Sequence, residues 1–269
     1  MGADIKSLRT RIKSVSSTQQ LTRAMGLVAS SKIRKATERM LHGRDYAAAL
    51  DQVLSALTAS PACARSPYMQ VRDGENAKTR LIVIAGDRGL AGGYNANAFR
   101  TVREYPDAQI IPIGKRACDR YGGEVRLCEK MESREAYDLA AGLCKDFAEG
   151  QYDRLGIVYT RYVSMMSQQP EIAWLLPLTR EPEAKSASAL FEPDETTILQ
   201  TAVPEYITGR IMAAVRESYA SEVVARRMAM DSAGKNAAEM LADLQLQYNR
   251  ARQGSITQEI TEIVAGANA

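Results

Sequence analysis

The chain has 269 residues, 45% hydrophobic and 25% charged, with a formal net charge of +3. That size supports one or two domains with a core that needs no staples, and so even a charge balance identifies no class of partner. Four scattered cysteines, Cys63, Cys118, Cys128 and Cys144, are sparse for a secreted disulfide scaffold, show no CxxC metal spacing and fit a reducing cytoplasm better. No run approaches eighteen apolar residues, so neither a spanning helix nor a signal peptide is expected.

From Asp4 to about Leu57 there is no proline. Ile5, Leu8, Ile12 and Val15 fall at gaps of three and four. The phase slips, then resumes through Leu21, Met25 and Val28, then Ile33, Ala36 and Met40, and finally Ala47, Leu50, Leu54 and Leu57. This is an interrupted coiled-coil stripe. At 1.5 Å per residue it predicts a helix of roughly 80 Å, which has nothing of its own to bury its stripe against and requires a partner helix. Between Lys6 and Arg44 ten lysines and arginines are opposed only by Glu38. Such a face attracts nucleic acid, anionic lipid or an acidic protein surface. Without interleaved aromatics or a groove-reading motif, nucleic acid is not expected.

The middle of the chain has a different texture. Lys78–Ala85 reads as a strand, followed by the glycine-rich turn Gly86–Asn95 and a helix from Ala96 to Glu104. Ala108–Ile113 is a second strand, Arg116–Tyr121 the start of a helix, Glu135–Gly150 a helix, and Arg154–Thr160 and Glu171–Leu178 further strands. This alternation predicts a parallel, doubly wound sheet. The glycine turn is the one enzymatic lead, because strand-to-helix turns of this kind hold phosphates. Its spacing, Gly86-x-x-Gly89-x-x-Gly92-Gly93, is neither G-x-G-x-x-G nor a P-loop, and a tight turn that lets the helix pack closely on the sheet explains it better. Asp87 and Arg88 form at best an acid–electrophile pair. The single histidine, His42, has no nucleophile near it in sequence, and Trp174 is expected in the core.

Pro204 is the last proline, and a helical pattern follows to the end: Ile207, Ile211 and Val215, then Met230, Ala233, Ala237, Met240 and Leu244, then Ile256, Ile260 and Ile263. At the same rise it predicts roughly 90 Å of helix. The predicted fold class is therefore α/β: a long antiparallel two-helix coiled coil formed by the N- and C-terminal helices, plus a central Rossmann-like doubly wound α/β domain. The expected bounds are 1–58 for the first helix, 59–77 a linker, 78–180 the α/β domain, 181–204 a linker and 205–269 the last helix. The last residues are peculiar. After Arg252 only Glu259 and Glu262 carry charge, and exposed Ile256, Ile260, Ile263 and Val264 would be an aggregation liability unless something surrounds them.

At both ends the sequence resembles the gamma subunits of bacterial F-type ATP synthases. The N-terminal match is Ile5-Lys-x-Leu-Arg-x-Arg-Ile-x-Ser-Val-x-x-Thr-Gln-Gln-Leu-Thr-Arg-Ala-Met25 with Val28-Ala-Ser-Ser-Lys32. The C-terminal match takes in Ser221-Glu222, Arg226 to Met230, Asn236-Ala237 and the run from Leu246 to Gly266; Asp87-Arg-Gly-Leu-x-Gly-Gly-Tyr-Asn95 resembles the family's central turn. It departs at Gly86 and Ala91, where serine and cysteine are expected.

The resemblance implies a central rotor stalk that couples ion flow through a membrane c-ring to the conformational cycling of the catalytic alpha/beta hexamer, with no catalytic site or cofactor of its own. It implies alpha, beta, epsilon and, within the complex, delta subunits as partners. The location implied is peripheral, on the cytoplasmic side of a bacterial plasma membrane, without spanning it. Carried over by position, Met25 and Lys32 would face an acidic loop of beta. Arg252 and Gln253 would contact another beta loop, with Thr257 and Glu259 close by, and Ile256, Ile260, Ile263 and Val264 would lie in an apolar sleeve. The alternative reading is a nucleotide-binding α/β enzyme dimerised by its coiled coil.

Overall fold

Successive side chains of a strand point to opposite faces, and Leu81, Ile82, Val83 and Ile84 are all fully buried, so this strand needs cover on both sides. The computed structural model, which describes residues 2–72, 74, 77–180 and 191–267 (side chains from residue 4), provides it. The elements are α1 (Gly2–Ala59), β1 (Thr79–Ile84), α2 (Tyr94–Val102), β2 (Gln109–Ile113), α3 (Lys115–Tyr121), α4 (Ser133–Ala148), β3 (Arg154–Tyr162), β4 (Gln168–Leu176) and α5 (Glu195–Ala267). On one face Leu81, Val83 and Val158 pack with Val102 and Phe99 of α2. On the other, Ile82, Ile84 and Ile157 join Ala140 and Phe147 of α4, Leu57 of α1 and Ile207 and Ile211 of α5.

The strand order is β2-β1-β3-β4. β1 is parallel to β2 and to β3, but β4 runs antiparallel to β3. The sheet is therefore mixed, which corrects the expectation of an all-parallel one. The connection over residues 163–167 is far too short for a crossover and closes as a hairpin, with Val163 N–H donating to Ser167 O at 3.2 Å.

Three other expectations are corrected. Trp174 sits on the edge strand, 36% exposed, with the Arg154 guanidinium 4.0 Å above its ring and Tyr105 edge-on, so it is not core. The stretch expected as a linker after α1 forms two 3-10 turns, Pro61–Arg65 and Pro67–Met69, whose Cys63 and Tyr68 join the main core. And α5 starts at Glu195, not after Pro204, which lies inside the helix. Interior proline costs about 3 kcal/mol, offset here by burial of Leu199 and Val203 in the preceding turns. Asp194 caps this start, accepting from Thr197 N–H at 2.9 Å and Thr197 Oγ1 at 2.7 Å. Residues 181–190 of the expected second linker lie outside the described residues.

The chain divides into two compact units, Met1–Ser31 with Arg226–Ala269, and Lys32–Ala225. In the second unit Gly43 lies against Ala213 and Arg216, and Gly209 against Tyr46 and Leu50. In the first, Gly26 lies against Arg227 and Met230, and Gly234 against Thr22. Rising numbers on α1 meet falling numbers on α5 in both, so within each unit the helices are antiparallel. A Cβ at Gly209 would stand 2.2 Å from Leu50 Cδ1 and 3.1 Å from Tyr46 Cε1, so any larger residue there would have to displace the Leu50 side chain.

Candidate functional site

The antiparallel register of the first unit, with Thr22 beside Gly234, places the first turns of α1 level with about residue 252 of α5. Beyond that level α5 has no partner among the described residues of the unit. From Arg252 to Ala267 every residue except the half-buried Ser255 is exposed. Ile256, Ile260, Ile263 and Val264 are all exposed, Ile263 at 71%. At about 100° per residue, their spacings of four, three and one gather them within an arc of about 100°. The polar side chains of this tip are engaged along their own helix. Ser255 donates to Glu259 at 3.4 Å and Gln258 to Glu262 at 2.9 Å, while Thr257 and Thr261 bond back to the carbonyls of Gln253 and Thr257 at 2.9 and 2.8 Å. What remains is a smooth apolar stripe with Arg252 and Gln253, both exposed, at its base.

Of the two α1 residues implicated by resemblance, Met25 is half-buried in the first unit. Lys32, in the second, is already engaged: its Nζ lies 2.6 Å from Glu129 Oε1. That hydrogen bond holds the Glu129 carboxyl below its usual range. Being partly exposed, the pair contributes little to stability.

The glycine turn is occupied from within the chain. Glu222 of α5, 1% exposed, accepts the Arg88 N–H at 3.3 Å. A Cβ on Gly86 would meet the Glu222 carboxylate at 2.8 Å. A carboxylate held where a nucleotide phosphate would have to lie repels one. Asp87 is equally committed, accepting from the backbone N–H groups of Cys128 and Glu129 at 2.9 Å each. The Asp87 carboxylate is thus taken up by backbone donors, while the Arg88 guanidinium is largely exposed, 3.9 Å from Glu129. His42 is exposed on α1.

Sequence reasoning missed the fastening of α5 to the sheet. Past its pairing with β1, the end of β3 is bonded by polar side chains of α5. Ser218 Oγ accepts from Thr160 N–H at 3.0 Å, Ser221 Oγ donates to Thr160 O at 3.1 Å, and Glu217 accepts from Tyr162 N–H at 2.9 Å. Glu217 also takes Arg44 at 2.6 Å, and Arg44 in turn donates to Tyr162 O. Tyr94, at the start of α2, donates to Ser218 O at 2.9 Å, and burial pushes its phenol well above the usual range. The available signal was the cluster Glu217, Ser218, Ser221 and Glu222 lying in phase with the apolar stripe, where a solvated face would not put it. All four cysteines are free and buried. No helix among the described residues is long and apolar enough to cross a membrane.

Residues 4–269 match the family model described as ATP synthase. The chain is 36% identical over 302 residues to the sodium ion specific ATP synthase gamma chain of Acetobacterium woodii, covering 100% of this chain and 99% of that one. It is 38% identical over 281 residues to the ATP synthase gamma chain of Moorella thermoacetica, covering 99% of each. Among solved structures it is similar to a chain of the Euglena gracilis mitochondrial ATP synthase in an assembly of OSCP, F1 and c-ring. There the TM-score is 0.73 at 20% identity, over 100% of this chain and 95% of that one. A chain of the Tetrahymena thermophila mitochondrial central stalk and c-ring gives 0.61 at 20% identity, over 79% and 99%. At such identities the structures speak for the fold.

Proposed function

The chain belongs to the ATP synthase gamma-chain family, and from that premise we propose that it is the central rotor stalk of a bacterial F-type enzyme, with its α5 tip as the bearing end. The observation that carries the reading of the tip is the partnerless stripe of Ile256, Ile260, Ile263 and Val264. A stripe that is apolar, nearly free of charge and self-satisfied in its hydrogen bonds suits a shaft turning inside an apolar sleeve. It offers no polar group that would lock one angular position, and burial in the sleeve removes its apolar surface from water.

Mechanical work needs grip as well as slip. In this reading Arg252 and Gln253 supply directional contact at the stripe's base, as charge-assisted and amide hydrogen bonds to a beta loop, with Thr257 and Glu259 beside them. Met25, and Lys32 when it exchanges Glu129 for an acidic beta loop, supply contact along α1. The rotor would pass torque from the c-ring to the alpha/beta hexamer while catalysing nothing itself, with epsilon and delta as further neighbours. The complex would lie on the cytoplasmic side of the plasma membrane, this subunit being peripheral.

A tagged chain expressed in its own host tests this reading. Recovery of alpha, beta and epsilon subunits is expected; recovery of the chain alone overturns it. The alternative, a nucleotide-binding enzyme, is disfavoured by Glu222, which fills the turn such an enzyme would need.

A further inference from the structure

Three clefts of the second unit are rich in arginine and lysine, and they differ in how those charges are met. In the cleft beside α4, Arg126 pairs with Glu124 and Glu135, and Arg134 with Asp138. In the cleft under β3 and β4, Arg44 pairs with Glu217, Arg210 with Asp51 and Arg161 with Glu171. In the second cleft every arginine is paired, and in the first the carboxylates of Glu124, Glu132, Glu135, Asp138 and Asp146 outnumber Arg126, Arg134 and Lys130, the last of which it shares with the third cleft. The third cleft is a cavity of about 470 Å³ between α1, α5 and the segment before α4, lined by Arg39, His42, Lys130 and Arg216. Among the described residues none of these four side chains has an ion-pair partner.

The cavity is built to keep its charge. The buried Ala36, Met131 and Val215 form its floor, while Arg39, His42 and Lys130 stand exposed around it and Arg216 is half-buried, so these unpaired charges stay hydrated and carry no burial penalty. The Arg216 stem is pinned over α1, its Cδ 3.3 Å from where a Cβ on Gly43 would be, beside His42. The one carboxylate on the lining, Glu129, is matched by Lys32 at 2.6 Å, with Arg88 at 3.9 Å. Cys128 and Tyr219, the remaining titratable groups on the lining, are neutral, burial pushing both up. Three permanent cations and an imidazole thus converge on a space within the range of about 300–1,000 Å³ usual for small-ligand sites.

We propose that this cavity is a binding site for a phosphate-class oxyanion, free or carried on a nucleotide, held by Arg39, His42, Lys130 and Arg216. The chemistry fits: arginine forks match phosphate oxygens, lysine supplies a point charge and the imidazole a further donor. Because the four residues come from α1, the segment before α4 and α5, a bound anion would clamp the three together.

The chain's single histidine makes the site directly observable. The full-length chain, with labelled histidine, gives one set of imidazole signals, followed by NMR at constant ionic strength as orthophosphate, pyrophosphate or ADP is added. A saturable shift of the His42 signals is expected. Arg216→Gln and Lys130→Gln should each weaken it about tenfold. Arg34→Gln, on the same helix but outside the cavity, should leave it unchanged. Circular dichroism confirms that each variant is folded, and exposed Lys130 gives a variant with little folding risk. Equal affinity for pyrophosphate and ADP assigns the site to phosphate groups alone; tighter ADP binding assigns it to a nucleotide. A response no larger than that to added chloride, or one that Arg216→Gln and Lys130→Gln both leave intact, overturns the proposal.

Discussion

Glu222 of α5 and Arg88 of the glycine turn are joined by a hydrogen bond from the Arg88 N–H to the buried carboxylate at 3.3 Å. The chain thereby supplies its own anion to a turn whose shape would otherwise suggest a phosphate. Glu222→Ala is expected to lower stability by about 2–4 kcal/mol, because buried donors lose their acceptor and a cavity opens. Thermal melts of the full chain would read this. A melting point unchanged from wild type would remove Glu222 from the fastening of the turn.

The tip should behave oppositely. Ile260→Asp with Ile263→Asp alters exposed positions only, so the isolated chain should melt within about 0.5 kcal/mol of wild type. Co-purification with alpha and beta subunits should fall sharply, since two charges would enter the proposed sleeve. Normal assembly of this double variant would show that the stripe is not enclosed.

Replacing Arg252 and Gln253 with alanine should leave the helical content of the isolated chain unchanged while reducing ATP turnover of the reconstituted complex about tenfold or more. Wild-type turnover would sink the assigned contact.

The start of α5 makes a pH-dependent prediction. Hydrogen bonds from Thr196 and Thr197 lower the Asp194 carboxyl to about 2. An unfolded aspartate titrates near 3.9. A folded value below the unfolded one means that the stabilisation is complete above about pH 4 and is lost as pH falls toward 2. Wild type should therefore melt higher than Asp194→Ala at neutral pH, with the difference vanishing across that window. A difference independent of pH would show that the cap does not act through its charge.

Lys32 and Arg252 illustrate how differently two residues singled out from the sequence fare. Arg252 stands exposed at the base of the stripe. Lys32 is bound to Glu129, about a hundred residues away in sequence, and its engagement elsewhere has to compete with that pair. No local pattern announces such a partner. Likewise the hairpin that turns β4 antiparallel, the exposure of Trp174 and the extension of α5 through Pro204 depend on what lies alongside: β3, Arg154, and the core that buries Leu199 and Val203.

By itself the sequence determined the two long helices, the α/β texture between them and the bare apolar tip, because each is written in spacings along one element: 3.6-residue periodicity, β-branched runs, an absence of charge. Only the tertiary structure decided where the polar residues inside those patterns go. Glu217, Ser218, Ser221 and Glu222 could be recognised as the bolts between α5 and the sheet only once β3 and the glycine turn stood against them. A buried hydrogen bond is a relation between distant segments, whereas a stripe belongs to one.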